Sequence, residues 1–214
     1  MISAFCLMKD RVTLVRKMHS YGMRASETAE LRFTNAQAEI LGERGRGREQ
    51  ALTVLDRGRI SIAALAVGIA EAAFDRANSY ANERKQFGHA IGSFQAIQWM
   101  LVDSAMELEA SEVMTLHAAH LQDRGENTTK ESAMAKLFAS ESAVKICDRS
   151  MQIHGGYGYS RDLPIERYLR DAKLCTTGEG TSEVQRLVVA RHGLKEGKPL
   201  SLANRQRRQP NRTA

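Results

Sequence analysis

The chain has 214 residues, of which 43% are hydrophobic, 26% charged and only 6% aromatic, with 3 prolines; that balance suits a globular protein and favours helix over sheet. The formal net charge of +6 is concentrated at one end: residues 195–214 hold six Lys or Arg and one Glu, and removing these from the 31 basic and 25 acidic residues leaves 25 and 24, a net of +1. Basic residues confined to a polar, aperiodic tail argue for a disordered segment and against nucleic-acid recognition, which needs a basic folded face or a reading motif. No segment is apolar for long enough to span a bilayer, and Met1 to Met8 lacks the basic start and cleavage site of a leader. Cys6, Cys147 and Cys175 form no Cys-x-x-Cys pair and no zinc or disulfide framework, which fits a reducing, cytoplasmic compartment.

In chain order, residues 1–45 alternate loosely, and Ile2 to Leu7 and Ala29 to Thr34 read as strands, with Gly22 and Asn35 near turns. Two or three strands cannot bury a core alone, so this part leans on something else or is the remnant of a larger sheet. From Arg46 the pattern turns helical. Leu52, Leu55, Ile62, Leu65 and Ile69 predict one apolar stripe on a long helix ending near Glu83. Ser93 is the expected N-cap of a second helix, striped by Phe94, Ile97, Leu101, Ala105 and Leu108 and ending at Arg124-Gly125. Thr128 and Glu131 have the spacing of a capping box for a third helix, lined by Met134, Leu137, Val144, Cys147 and Met151 and broken by Gly155, Gly156 and Gly158. Pro164 starts a short helix, and Thr181 caps a last one that stops at Gly193. Long helices joined by short loops predict a mainly α chain, an up-down four-helix bundle preceded by a few strands.

Several constellations could carry chemistry. Glu179 stands between Gly178 and Gly180 just before a helix, free of bulky neighbours; residue types alone favour a solvated loop glutamate beside a helix dipole over a side chain reaching into a cleft. The run Gln152-Ile153-His154-Gly155-Gly156-Tyr157-Gly158 could bring backbone amides to a pyrophosphate, or be a helix end and turn. Asp56 and Arg59 share a helix face, as an exposed ion pair would, and Arg84 to Gly88 joins a cation, an aromatic and a glycine at a helix end. His117 and His120 share a face, but no carboxylate completes a metal site.

Taken in order, these pieces resemble the acyl-CoA dehydrogenase family. The resemblance is carried by Leu55-Asp56-Arg57-Gly58-Arg59, Tyr80 to Gly88, Phe94-Gln95-Ala96-Ile97-Gln98, Gln152 to Gly158, Arg170-Asp171-Ala172-Lys173 and Gly178-Glu179-Gly180-Thr181-Ser182-Glu183-Val184-Gln185-Arg186. It implies that residues 46–194 are the C-terminal four-helix-bundle domain and 1–45 the end of the middle β-domain, with 195–214 a basic tail. The family's N-terminal helical domain and most of its β-domain have no counterpart, as in a truncated member or a gene fragment.

The resemblance further implies the α,β-dehydrogenation of an acyl-CoA thioester to a 2-enoyl-CoA. Glu179 would be the base, working in a cleft that excludes water. Some relatives carry the base at the position of Gly58, which has no side chain for it. Asp56, Arg59 and Gly180 match substrate-contacting positions. Arg84, Phe87, Gln95, Gln152, Ile153, His154, Gly155 and Gly156 match residues that bind the FAD of a neighbouring subunit, and Thr181 and Glu183 match contacts from the subunit's own side. A site shared in this way implies a homodimer or homotetramer. The expected electron acceptor is an electron-transfer flavoprotein. Gly178 replaces the tyrosine that many relatives carry before the base, which leaves chain-length preference open. The competing expectation is a catalytically inactive helical fragment or assembly module.

Overall fold

The computed structural model describes residues 3–7 and 12–193; the segment expected to be a basic tail, 195–214, lies outside them. Four short strands come first: β1 (Phe5–Leu7), β2 (Val12–Lys17), β3 (Ala29–Phe33) and β4 (Ala38–Ile40). They form two separate antiparallel ladders, β1 with β4 and β2 with β3. The sequence predicts β1 and β3 but places neither β2 nor β4. The Val12-Thr13-Leu14-Val15 run of β2 carries the β-branched signal, while three-residue β4 is defined only by its partner. Leu14, Leu31 and Phe33 remain about half exposed, as expected of ladders too small to bury a face.

This strand segment is fastened to the helices at two points. Ser3 Oγ accepts from the Gly45 amide at 2.9 Å, near the start of the first helix. Farther along, Gly22 lies on a helix backbone so closely that a Cβ there would come within 2.1 Å of the Arg170 carbonyl oxygen. On either side of it, Arg170 Nη1 donates to the Tyr21 carbonyl (3.1 Å) and the Met23 amide donates to Asp171 Oδ1 (2.6 Å). The Arg170-Asp171 pair is therefore one of the two clamps between strands and helices.

The helices follow: α1 (Gly47–Glu83), α2 (Gln95–Asp123), α3 (Thr129–His154), the single turn α4 (Gly156–Tyr159), α5 (Ile165–Cys175) and α6 (Ser182–Gly193). Between α1 and α2 the two-residue strands β5 (Lys85–Gln86) and β6 (His89–Ala90) make a hairpin. Its turn residues Phe87 and Gly88 both have positive φ (53° and 83°), as a tight two-residue hairpin requires. The long helices α1, α2 and α3 pack together, and α5 and α6 fill the fourth position of the bundle against α3. Among the described residues no helix is long and apolar enough to cross a membrane.

The core departs from the predicted stripes. On α1 the buried seam is Ala63, Ala66, Ala70, Ala73, Ala77 and Ala81, whereas Leu52 is 49% exposed and Leu65 also faces outward. The seam has the expected three-and-four spacing, but alanine occupies it. Small side chains let α1 lie close to Ala135, Ala139, Ala143 and Ile146 of α3, while Ile62 and Ile69 of the predicted stripe pack half-buried against the same core and Leu52 and Leu65 turn outward. On α2, Ala105 of the predicted stripe is likewise exposed, and Ser104, Ser111, Thr115 and Ala118 are buried.

Two caps differ as well. Ser93 belongs to a 3-10 turn and donates to the Ala90 carbonyl, so Phe94 occupies the N-cap position of α2 without a side-chain bond. Thr128 does precede α3, but its side chain caps nothing; Asn127 Oδ1 accepts from the Thr129 amide instead. The end of α2 is as expected: Gly125 (φ 71°) donates to the Gln122 carbonyl and Glu126 to that of Leu121, a Schellman ending.

Candidate active site

Residues 176–181 connect α5 to α6. Amides of Thr177 and Gly178 donate to the Leu174 carbonyl (2.9 and 2.8 Å), and the Ser182 amide donates back to Thr176 (3.0 Å), closing a tight loop. At its apex Glu179 has φ 54°, a left-handed conformation that costs a residue with a side chain about 1–2 kcal/mol, and Gly180 follows at φ 94°. Two fully buried side chains hold this backbone. Gln185 Nε2 donates to the Glu179 and Gly180 carbonyls (3.1 and 2.9 Å), and Lys136 Nζ, from α3, donates to the Gly180 carbonyl (2.7 Å).

The turn aims the Glu179 carboxylate at α1. A Cβ built on Gly58 would lie 2.7 Å from Glu179 Oε2 and 2.8 Å from its Cδ, so the carboxyl rests where a side chain at 58 would begin. Glutamate at either position would therefore bring its carboxyl to the same side of α1. Beside Gly58, Arg59 Nη1 donates to Asp56 Oδ1 (2.5 Å), and Asp56 Oδ2 accepts from Thr129 Oγ1 (2.7 Å). With the side chain of Arg59 6% exposed and that of Asp56 25% exposed, this is not the exposed pair that residue types alone describe. Burial pushes the Lys136 ammonium below its ordinary range; the nearby Cys175 opposes this and Arg59 adds to it. Burial pushes Cys175 up to about 11 and Cys147 up to about 12, so neither thiol is a ready nucleophile.

A second feature lies at the far end of α1. A groove of about 650 Å³ is lined by Tyr80, Arg84, Phe87, Phe94, His154 and Gly155, among others. Phe87 is 88% exposed at the hairpin tip and meets Phe94 edge to face at 6.2 Å. His154 stacks on Tyr80 (4.4 Å), and its Nδ1 donates to the Ser150 carbonyl at 2.7 Å; burial lowers its pKa, favouring neutral imidazole. Gly155 and Gly156 have open space where side chains would stand, leaving the backbone approachable. Arg84 directly follows the last residue of α1, 26 positions after Gly58, which is roughly 39 Å of helix at 1.5 Å per residue.

The profile of the acyl-CoA dehydrogenase C-terminal domain matches residues 45–194. The chain belongs to the acyl-CoA dehydrogenase family. It is 52% identical over 199 residues to the probable acyl-CoA dehydrogenase YngJ of Bacillus subtilis, covering 91% of this chain and 52% of that one. To the mitochondrial short-chain specific acyl-CoA dehydrogenase of Bos taurus it is 49% identical over 187 residues, or 86% of this chain and 45% of the relative. The solved butyryl-CoA dehydrogenase of Megasphaera elsdenii superposes with a TM-score of 0.84 at 39% identity, over 86% of this chain and 49% of that one. The chain thus spans about half the length of the curated relatives it matches.

In this chain the candidate residues fall into two groups. Glu179, Gly180, Thr181 and Glu183 lie on the loop facing Gly58 and at the start of α6, where Thr181 Oγ1 accepts from the Val184 amide at 3.4 Å. Asp56 and Arg59 flank Gly58 on α1. Arg84, Phe87, Ile153, His154, Gly155 and Gly156 line the distant groove, whereas Gln95 and Gln152 are exposed and do not line it. Among the contributors to which the sequence assigned no site role, four stand out. Tyr80 and Phe94 line the groove, and Lys136 and Gln185 hold the loop. Lys136 left a signal: it falls in the buried register of α3 with Ser132, Ala139 and Ala143, where lysine has no ordinary place.

Proposed function

We propose that this chain carries the base and two portions of the flavin site of an FAD-dependent acyl-CoA dehydrogenase. The observation that carries the reading is the Glu179 carboxylate, held against Gly58 by a strained and doubly clasped loop. Glu179 takes the proton from the carbon alpha to the thioester carbonyl, and the 2-enoyl-CoA forms as the beta carbon loses a hydride. FAD, when bound, supplies the acceptor for that hydride. Asp56, Arg59 and Gly180 border the space the acyl thioester would enter. The aromatic edge of Phe87, the Arg84 cation and the approachable backbone at Gly155 and Gly156 fit a ligand that combines flat rings with a pyrophosphate.

The separation of groove and base along α1, roughly 39 Å at 1.5 Å per residue, supports a site completed by a second copy. So does the row of Trp99, Val102, Met106, Val113 and Leu116, more than half exposed on one face of α2. An electron-transfer flavoprotein as the final acceptor rests on the family resemblance.

The test is to purify the chain and record the flavin spectrum with acyl-CoA and an electron acceptor. Bound flavin bleached by substrate is expected, and Glu179→Gln should abolish bleaching while leaving flavin bound. Retained turnover in that variant would remove Glu179 as base. The half-exposed apolar side chains of β2 and β3 favour a second reading, a helical module that does no chemistry alone. Solution mass and FAD stoichiometry separate the two: a dimer with bound flavin supports the first, and a flavin-free chain the second.

A further inference from the structure

Lys136 takes no part in the chemistry described above, yet it is buried as completely as any side chain of the core. An ammonium is costly to bury, and methionine would fill the same volume without a charge. Its Nζ reaches 2.7 Å from the Gly180 carbonyl, 44 residues away along the chain. The same oxygen also accepts from Gln185, which holds the preceding Glu179 carbonyl too. With both carbonyls fixed, the peptide between Glu179 and Gly180 cannot rotate. The direction in which the Glu179 side chain leaves the backbone is thereby fixed toward Gly58. The left-handed φ at Glu179 makes this necessary, because an unclasped loop would relax to an unstrained conformation and turn the carboxylate away.

We infer that Lys136 is a positioning residue for Glu179: a buried cation on α3 that clasps the Gly180 carbonyl and sets the carboxylate over Gly58. The inference rests on the reading of Glu179 as base for its consequence in turnover, but the clasp itself is testable without it. In the full 214-residue chain, Lys136→Met should keep helical content. Amide exchange at Glu179, Gly180 and Thr181 should rise about tenfold or more while the turn at Gly155 to Tyr159 is unchanged. The nuclear Overhauser contact between the Glu179 side chain and Gly58 should disappear. In assembled enzyme, kcat should fall about 10- to 100-fold with KM little changed, as expected for a misplaced rather than a missing group.

A folded Lys136→Met chain that keeps both the slow exchange and the contact to Gly58 would overturn the inference. Should that variant not fold, the wild-type chain decides: a through-bond coupling between Lys136 Nζ and the Gly180 carbonyl carbon supports the clasp, and its absence refutes it. Glu179→Gln separates the two claims. If it retains turnover while Lys136→Met loosens the loop, the base reading fails and the clasp stands.

Discussion

Gly58 gives Glu179 its place. Glycine within a helix is ordinarily a liability of about 0.5–1 kcal/mol relative to alanine, and here it makes room for a carboxylate. Gly58→Ala should therefore leave thermal stability unchanged or raise it by up to about 1 kcal/mol, since only the flexible end of Glu179 has to move. Turnover should fall tenfold or more, because the displaced carboxylate no longer meets the alpha carbon. A melting curve beside a flavin-bleaching assay measures both, and a loss of stability that tracks the loss of activity would contradict this account. The Gly-Glu-Gly run was legible as a candidate in the sequence. Its proximity to Gly58 was not legible in residue types, since 121 residues of chain separate the two positions; only the family resemblance, which makes 58 the other place of the base, pointed to it.

At the scale of elements, helix limits were legible and helix faces were not. Ends are written locally: Gly125 and Gly155 take left-handed conformations. Faces depend on what lies opposite, and alanine carries too little apolar surface to mark one. The alanine seam gives a contrast to measure. Ala66→Leu should destabilise the chain by about 1–3 kcal/mol through overpacking, whereas Leu52→Ala should change stability by less than about 0.5 kcal/mol. Chemical denaturation of the two variants tests this, and the reverse order would restore the stripe drawn through the leucines. The Arg170-Asp171 pair makes the same point: its residues stood out in the sequence, but their work as a clamp on Tyr21 and Met23 depends on the fold.

For the whole molecule the distance between the groove and Glu179 is decisive. If the flavin site is shared between copies, each site takes its groove from one subunit and its base from the other. Mixing inactive Glu179→Gln chains with inactive Arg84→Glu chains should then restore activity. In a mixed pair one site collects both defects and the other none. Failure to restore activity, with mixed oligomers demonstrated by mass, would show that each chain builds its own site.

By itself the sequence determined the helical character, the order and limits of the long helices, and the ordered motifs that mark the family. These are local properties, set by spacing, capping residues and short runs. Tertiary structure alone decided which face of α1 is buried, that Asp56 and Arg59 pair with Arg59 buried and Asp56 half-buried, and that Gln95 and Gln152 stand outside the groove. It also decided that a lysine and a glutamine hold the loop that presents Glu179. The reason is the same in each case: burial and aim come from contacts between residues far apart in the chain, and no single segment encodes both sides of such a contact.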